Sequence, residues 1–122
     1  MAERRVLLVE DEPLLREMMA EVLSEAGFEV TATCTGDEAA ILIADGQKVD
    51  VLLTDVSMPG QIDGLGLAAL AREVHPRLPV VFVSGRLENA VDAHRLSGPT
   101  VFIAKPYRIT ALLDAVDGVL AR

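Results

Sequence analysis

Three acids in a row, Glu10-Asp11-Glu12, follow the apolar run 6–9. A further acid, Asp55, follows Val51-Leu52-Leu53, Ser84-Gly85 follows the apolar run 80–83, and Lys105-Pro106 follows the run 100–103. Crowded carboxylates repel one another unless a hard divalent cation sits among them, and Mg²⁺ favours one or two carboxylates together with waters and phosphoryl oxygens. An ammonium and a hydroxyl beside such a cluster would offer a positive charge and a hydrogen bond to an incoming phosphoryl group. The residue types therefore point to phosphoryl chemistry at a metal site, provided the fold brings the four segments together.

The elements that must position them alternate along the chain. Short β-branched apolar runs predict strands over 5–9, 28–33, 49–53, 80–83 and 100–103. Helical spacing fills the intervals: about 12–26, 36–45, about 64–75, about 87–96 and 108–120. In the first helix Leu14, Leu15, Met18, Met19, Val22 and Leu23 recur at three- and four-residue steps, Asp11 can cap it, Pro13 suits its first turn and Gly27 its end. Leu112, Leu113, Val116 and Leu120 form the stripe of the last. Strand and helix in turn, five times over, predict an α/β fold: one flavodoxin-like, doubly wound (βα)5 domain with a parallel five-stranded sheet. Right-handed crossovers favour strand order 2-1-3-4-5, with the ligand crevice beyond the carboxyl ends of strands 1 and 3. Glu10, Asp11, Asp55, Ser84 and Lys105 would then converge on one rim.

Length and composition bound the partners. The 122 residues are 51% apolar and 25% charged, one domain's worth (1–122), and no output domain is expected after the last helix, whether the chain stands alone or is a piece of a longer protein. The apolar runs fall far short of the roughly 20 residues that cross a bilayer, and no leader segment is expected before residue 6. A net charge of −8 argues against nucleic acid and against an anionic membrane surface as partners. Aromatic content of 3% leaves little for stacking on bases or sugars. The single cysteine, Cys34, forms no internal disulfide, which fits a cytoplasmic location.

Each site residue also has a plainer reading. Asp11 reads as a helix N-cap as well as a ligand, and Asp55 as the opener of the turn that Pro59-Gly60 completes. Glu12 reads as a solvated first-turn acid favoured by the helix dipole, and Ser84 as a small polar strand end. Glu10 is harder to explain this way, because an acid at the inner end of a buried strand is costly unless paired or metal-bound. Lys105 stands out because Lys48 is the only other lysine in the chain, arginine being the usual cation.

The chain resembles the receiver domains of bacterial two-component response regulators. The resemblance is carried by Val6-Leu7-Leu8-Val9-Glu10-Asp11-Glu12, by Asp50-Val51-Leu52-Leu53-Thr54-Asp55-Val56-Ser57-Met58-Pro59-Gly60, by Asp63-Gly64-Leu65, by Val80-Val81-Phe82-Val83-Ser84-Gly85 and by Phe102-Ile103-Ala104-Lys105-Pro106-Tyr107. It implies that Asp55 is the phosphoacceptor, taking a phosphoryl group from a histidine kinase or histidine phosphotransfer protein. It implies that Glu10, Asp11, Asp55 and the backbone carbonyl of Ser57 hold Mg²⁺, with Mn²⁺ as the alternative ion. Lys105 would pair with the phosphoryl oxygens through a cis Lys105-Pro106 bond, Ser84 would follow the phosphoryl group, and Phe102 would be the switch aromatic. The implied chemistry is Mg²⁺-dependent self-phosphorylation and self-dephosphorylation, not enzymatic turnover of a separate substrate. The signal would leave through the fourth helix, fifth strand and last helix, toward a protein target or a second copy of the chain.

Two departures from the family pattern stand out. The turn 58–64 is one residue longer than the commoner form, and the switch aromatic is Phe, not the frequent Tyr. Ser57 and Arg86, each two residues past a site residue, flank the expected path of attacking water and are expected to tune phosphoryl lifetime. Rival classes fit less well. A haloacid-dehalogenase-type phosphatase wants an acid where Ser57 stands, and the glycine pattern at Gly64 and Gly66 lacks a strand directly before it. A pseudo-receiver that no longer takes phosphate would have lost an acid, the acceptor or the lysine.

Overall fold

Apolar runs too short for helices pair here as parallel strands. The structure is a computed structural model and describes residues 4–86, 96 and 98–121. Its strands are β1 (Arg5–Val9), β2 (Glu29–Thr33), β3 (Val51–Asp55), β4 (Val80–Ser84) and β5 (Thr100–Ala104). They form one sheet in the order β2-β1-β3-β4-β5, every neighbour pair parallel. The order is the expected one, with its switch point between β1 and β3. The described helices are α1 (Pro13–Glu25), α2 (Gly36–Ala44), α3 (Gly64–Val74) and α4 (Ile109–Leu120). The helix expected over 87–96 lies outside the described residues, apart from its last position.

Alternation along the strands divides the core into two layers. Val6, Leu8, Val51, Leu53, Val81 and Val83 face α1 and α4, where they meet Met19, Leu23, Leu112 and Val116. Leu7, Val9, Leu52, Val80 and Phe82 face α2 and α3, against Ala39, Ile43, Leu67 and Ala71. Every residue of β3 and β4 is buried, as a parallel sheet covered on both faces requires. At the far end of the sheet from the rim, buried Arg72 ties α3 to the chain before β4 and β5, donating to the carbonyls of Leu78 (3.1 Å) and Pro99 (2.6 Å).

Two local expectations need correction. The third strand runs over Val51–Asp55, not 49–53, because Asp55 pairs with Val83 of β4 while the Asp50 carboxylate accepts from the Arg5 N–H at 2.7 Å. The N-cap of α1 is Glu12, not Asp11; its carboxylate accepts from the N–H groups of Leu14 (3.3 Å) and Leu15 (2.7 Å). Pro13 is the reason. The residue before a proline is held in extended backbone, so Glu12 takes the half-in position and is no first-turn acid.

Candidate functional site

Capping by Glu12 leaves the Asp11 carboxylate for the rim. Glu10 follows the last residue of β1, with its N–H donating to the Thr33 carbonyl at 3.1 Å and its carbonyl accepting from Arg16 Nη1 at 2.9 Å. Both bonds fix the backbone from which the carboxylate projects. That carboxylate is only 2% exposed at residue level and accepts from the Glu12 N–H at 3.1 Å. Asp55 closes β3 and is 8% exposed. Glu10, Asp11 and Asp55 each offer an oxygen, all within 4.8 Å of one another. Oxygens on opposite sides of an octahedral Mg²⁺ stand about 4.2 Å apart, from bonds of about 2.1 Å. The donor set therefore fits a hard dication with little side-chain adjustment.

Lys105 lies opposite this cluster. Its Nζ donates to Asp55 Oδ2 at 2.7 Å and stands 3.8 Å from Glu10 Oε1. The Lys105 N–H donates to the Ser84 carbonyl at 2.8 Å, tying the base of the lysine to the end of β4, and the Lys105-Pro106 peptide is cis. Ser84 is buried and its hydroxyl accepts from the Arg86 N–H at 3.1 Å. The titrating groups reflect this crowding. Burial pushes the Glu10 carboxyl up, the Glu12 N–H and Lys105 pull it back, and Asp11 and Asp55 add to the rise. Burial pulls the Lys105 ammonium down, but its hydrogen bond to Asp55 and the charges of Asp55 and Glu10 outweigh that, so the net direction is up. The Tyr107 phenol is also raised, first by burial.

Glu10, Asp11, Asp55 and Lys105 are thus brought together as expected, with Ser84 tied to the backbone of Lys105. Ser57 and Arg86 are exposed on the loops that follow β3 and β4. Phe102 is half-buried on β5 and packs against the core layer of α2 and α3. Gly64, the first residue of α3, lies so close to β3 that a Cβ there would stand 2.1 Å from the Asp55 carbonyl oxygen.

Three features escaped the sequence reading. Arg16 braces the Glu10 carbonyl, for which its position one helical turn past the acids was the available signal. Asp37 of α2 binds the loop after β3, a contact across 24 and 25 residues that no local pattern announces. Leu14, expected in the buried stripe, is 75% exposed, and Met18 beside it is exposed as well. Met18 joins Leu15, Lys105, Pro106, Tyr107 and Ile109 in lining an apolar groove of about 570 Å³.

A doubly wound sheet with acids beyond β1, an acid closing β3 and a lysine beyond β5 defines a class, and comparison with known proteins agrees. The response regulator receiver domain family matches residues 6–117, and the chain belongs to that family, the receiver domains of two-component signalling. It is similar to the response regulator protein FleR of Pseudomonas aeruginosa, 38% identical over 114 residues that cover 92% of this chain and 24% of FleR. It is also similar to the response regulator receiver protein CpdR of Brucella abortus, 31% identical over 96% of this chain and 97% of CpdR. A solved response regulator receiver protein from Sinorhizobium medicae matches with a TM-score of 0.89 at 31% identity, covering 98% of this chain and 95% of that one. The chain spans about a quarter of FleR and about half the length of several other curated relatives.

Proposed function

We propose that Asp55 accepts a phosphoryl group from the phosphohistidine of a histidine kinase or histidine phosphotransfer protein. A carboxylate oxygen of Asp55 forms the new O–P bond, the P–N bond of the donor breaks, and the imidazole leaves with the electron pair. One observation carries this reading. The Lys105 ammonium is held 2.7 Å from Asp55 and 3.8 Å from Glu10, where it can follow the negative charge onto phosphoryl oxygens. Glu10, Asp11, Asp55 and the Ser57 carbonyl are the groups assigned to Mg²⁺, with Mn²⁺ as the alternative. When bound, that ion supplies positive charge to the phosphoryl oxygens.

Phosphorylation adds about −1.5 to −2 charge and three acceptor oxygens at the rim. The phosphoryl oxygens offer the Ser84 hydroxyl a new acceptor beside the Arg86 N–H it already binds, which draws its loop inward and opens space for Phe102 to turn. The differential contact shifts the population toward the form that binds a target through the β5 and α4 face. The exposed Met18, which lines a groove with Lys105, and the exposed Leu14 on the same helix offer the donor protein apolar contact. Residues 1–122 are read as one receiver unit working in the cytoplasm; among the described residues no helix is long and apolar enough to cross a membrane.

The test is exposure to acetyl phosphate with Mg²⁺ followed by intact-mass measurement. A single phosphoryl addition that needs Mg²⁺ and is lost in Asp55→Asn supports the reading. No addition under these conditions supports the pseudo-receiver instead, and multiple turnover of phosphate esters supports a phosphatase.

A further inference from the structure

The loop between β3 and α3, residues 56–63, carries Ser57 and is one residue longer than the commoner family form. Its two ends are anchored on the sheet: the Val56 N–H donates to the Val83 carbonyl (3.1 Å), and the Gly64 N–H returns to the Val56 carbonyl (2.8 Å). The middle is held from outside. Both oxygens of the Asp37 carboxylate are engaged there, Oδ2 by the Gln61 N–H at 3.3 Å and Oδ1 by the Ile62 N–H at 3.0 Å. Asp37 lies in the first turn of α2, beside Gly36, where a Cβ would stand 2.5 Å from the Ile62 carbonyl oxygen. The close approach of α2 to the loop therefore depends on a residue without a side chain, and the Ile62 side chain seals the contact against the core layer of α2 and α3.

An acid in a first turn has a general rationale in the helix dipole. That rationale needs no particular partner, whereas here two consecutive backbone donors from a distant loop converge on one carboxylate. We infer that Asp37 is a positioning residue of the phosphoryl site: by clamping residues 61 and 62 it fixes the path of the loop from Ser57 onward, and with it the Ser57 carbonyl. The inference rests on the proposed assignment of that carbonyl to the metal. Its physical content is that a loop fastened only at its ends samples many conformers, and a carbonyl donor held in few of them binds a cation more tightly.

The experiment uses the full chain and three variants: Asp37→Ala, Asp37→Asn (similar in size, with one acceptor oxygen retained) and Glu38→Gln. Glu38→Gln removes a neighbouring charge from the same helical turn but no bond to the loop. Amide exchange at Gln61 and Ile62 is measured by NMR in metal-free protein, Mg²⁺ binding by titration, and phosphoryl uptake from phosphoramidate at half-saturating and saturating Mg²⁺. In Asp37→Ala the two amides are expected to exchange faster and the Mg²⁺ dissociation constant to rise about 3- to 10-fold, at or below the usual loss for a supporting partner of a metal ligand. Asp37→Asn is expected between Asp37→Ala and wild type, the rate at saturating Mg²⁺ to be unchanged, and Glu38→Gln to match wild type. Faster exchange with unchanged Mg²⁺ affinity overturns the inference, as does an equal loss in Glu38→Gln, which would make the effect one of charge alone. A wild-type protein that binds no Mg²⁺ and takes up no phosphoryl group overturns the receiver chemistry as well; one that does both while Asp37→Ala matches it overturns the clamp alone.

Discussion

Lys105→Met tests whether the lysine is the counter-charge of the acidic rim. Methionine keeps an unbranched stem of similar girth and deletes the ammonium. What is lost first is a charge-assisted hydrogen bond to Asp55 at 2.7 Å, of a kind worth about 1.5–3 kcal/mol. The attraction to Glu10 at 3.8 Å goes too, and the two buried carboxylates are left facing Asp11 with oxygens within 4.8 Å. Breaking a fully buried pair from one side costs about 3–5 kcal/mol, but the Lys105 side chain is 31% exposed, so solvent screens part of this. A loss of about 2 kcal/mol in the metal-free protein follows. Urea unfolding of wild type and variant, in EDTA and in saturating Mg²⁺, measures it. The deficit should shrink in Mg²⁺, because a dication takes over the neutralising role and binds the less positive rim more tightly. The pH dependence has a definite sign. The Lys105 ammonium is raised in the folded state, so its contribution is complete below the unfolded value near 10.4 and is lost as pH rises through the folded one. The gap between the two proteins should be flat through neutral pH and close only in strong alkali. Equal stability in EDTA, or a deficit indifferent to Mg²⁺, would refute the reasoning.

Tyr107 is the only tyrosine and the chain has no tryptophan, so an alkaline absorbance titration reads this phenol alone; its midpoint should lie above the free value near 10 and fall back in denaturant. Because the shift is upward, stability should decline as pH climbs past about 10, as the unfolded phenol ionises first. Gly64→Ala should destabilise by about 3 kcal/mol and reduce phosphoryl uptake, since the new Cβ meets backbone at Asp55 and Val56, whereas Gly118→Ala, with nothing within 4 Å, should stabilise α4 by about 0.5–1 kcal/mol. Unfolding curves of the pair decide this, and a neutral Gly64→Ala would sink it. Phe102→Ala, half-buried, should cost about 1–2 kcal/mol and weaken the ratio of target affinities with and without phosphoryl; an unchanged ratio rejects the switch role. Arg86→Ala and Ser57→Asn should change the decay time of the phosphorylated protein in a direct hydrolysis measurement, and unaltered lifetimes end that idea.

What could be read from the sequence was whatever is local or repeats with a fixed period. The strand runs at β1 and β4 are legible because buried parallel strands are solidly apolar, and the half-buried edge strand β5 because its residues 100–103 are β-branched or aromatic; the acids and the lysine that follow them are legible by position. The α1 cap falls on Glu12 and not on Asp11, since the restriction Pro13 places on Glu12 outweighs the ordinary preference for aspartate. The exposed position of Leu14 was not legible. Six apolar residues in α1 cover more of the helix than the sheet can bury, and periodicity alone cannot say which edge is left over. Arg16 and Asp37 act on backbone, which has no residue type to recognise.

Sheet register explains why the lysine has to be long. Val9 pairs with Thr54, which puts Glu10 level with Asp55; Asp55 pairs with Val83, and Val83 with Ile103. Lys105 is therefore two residues beyond the level of Asp55, about 6–7 Å along the strand, and two strands away across the sheet, about 10 Å. Only an extended flexible stem spans that diagonal, and a cation one position earlier, at Ala104, would leave β5 on the opposite face. The same stagger lays the lysine's own N–H on the Ser84 carbonyl. Under the proposed switch, a pull on the Ser84 loop by a phosphoryl oxygen would pass through this backbone bond to Lys105, and along β5 to Phe102. On that proposal the pairing of β4 with β5 would couple the switch to the phosphoryl site, and substitutions that weaken the pairing should loosen both together.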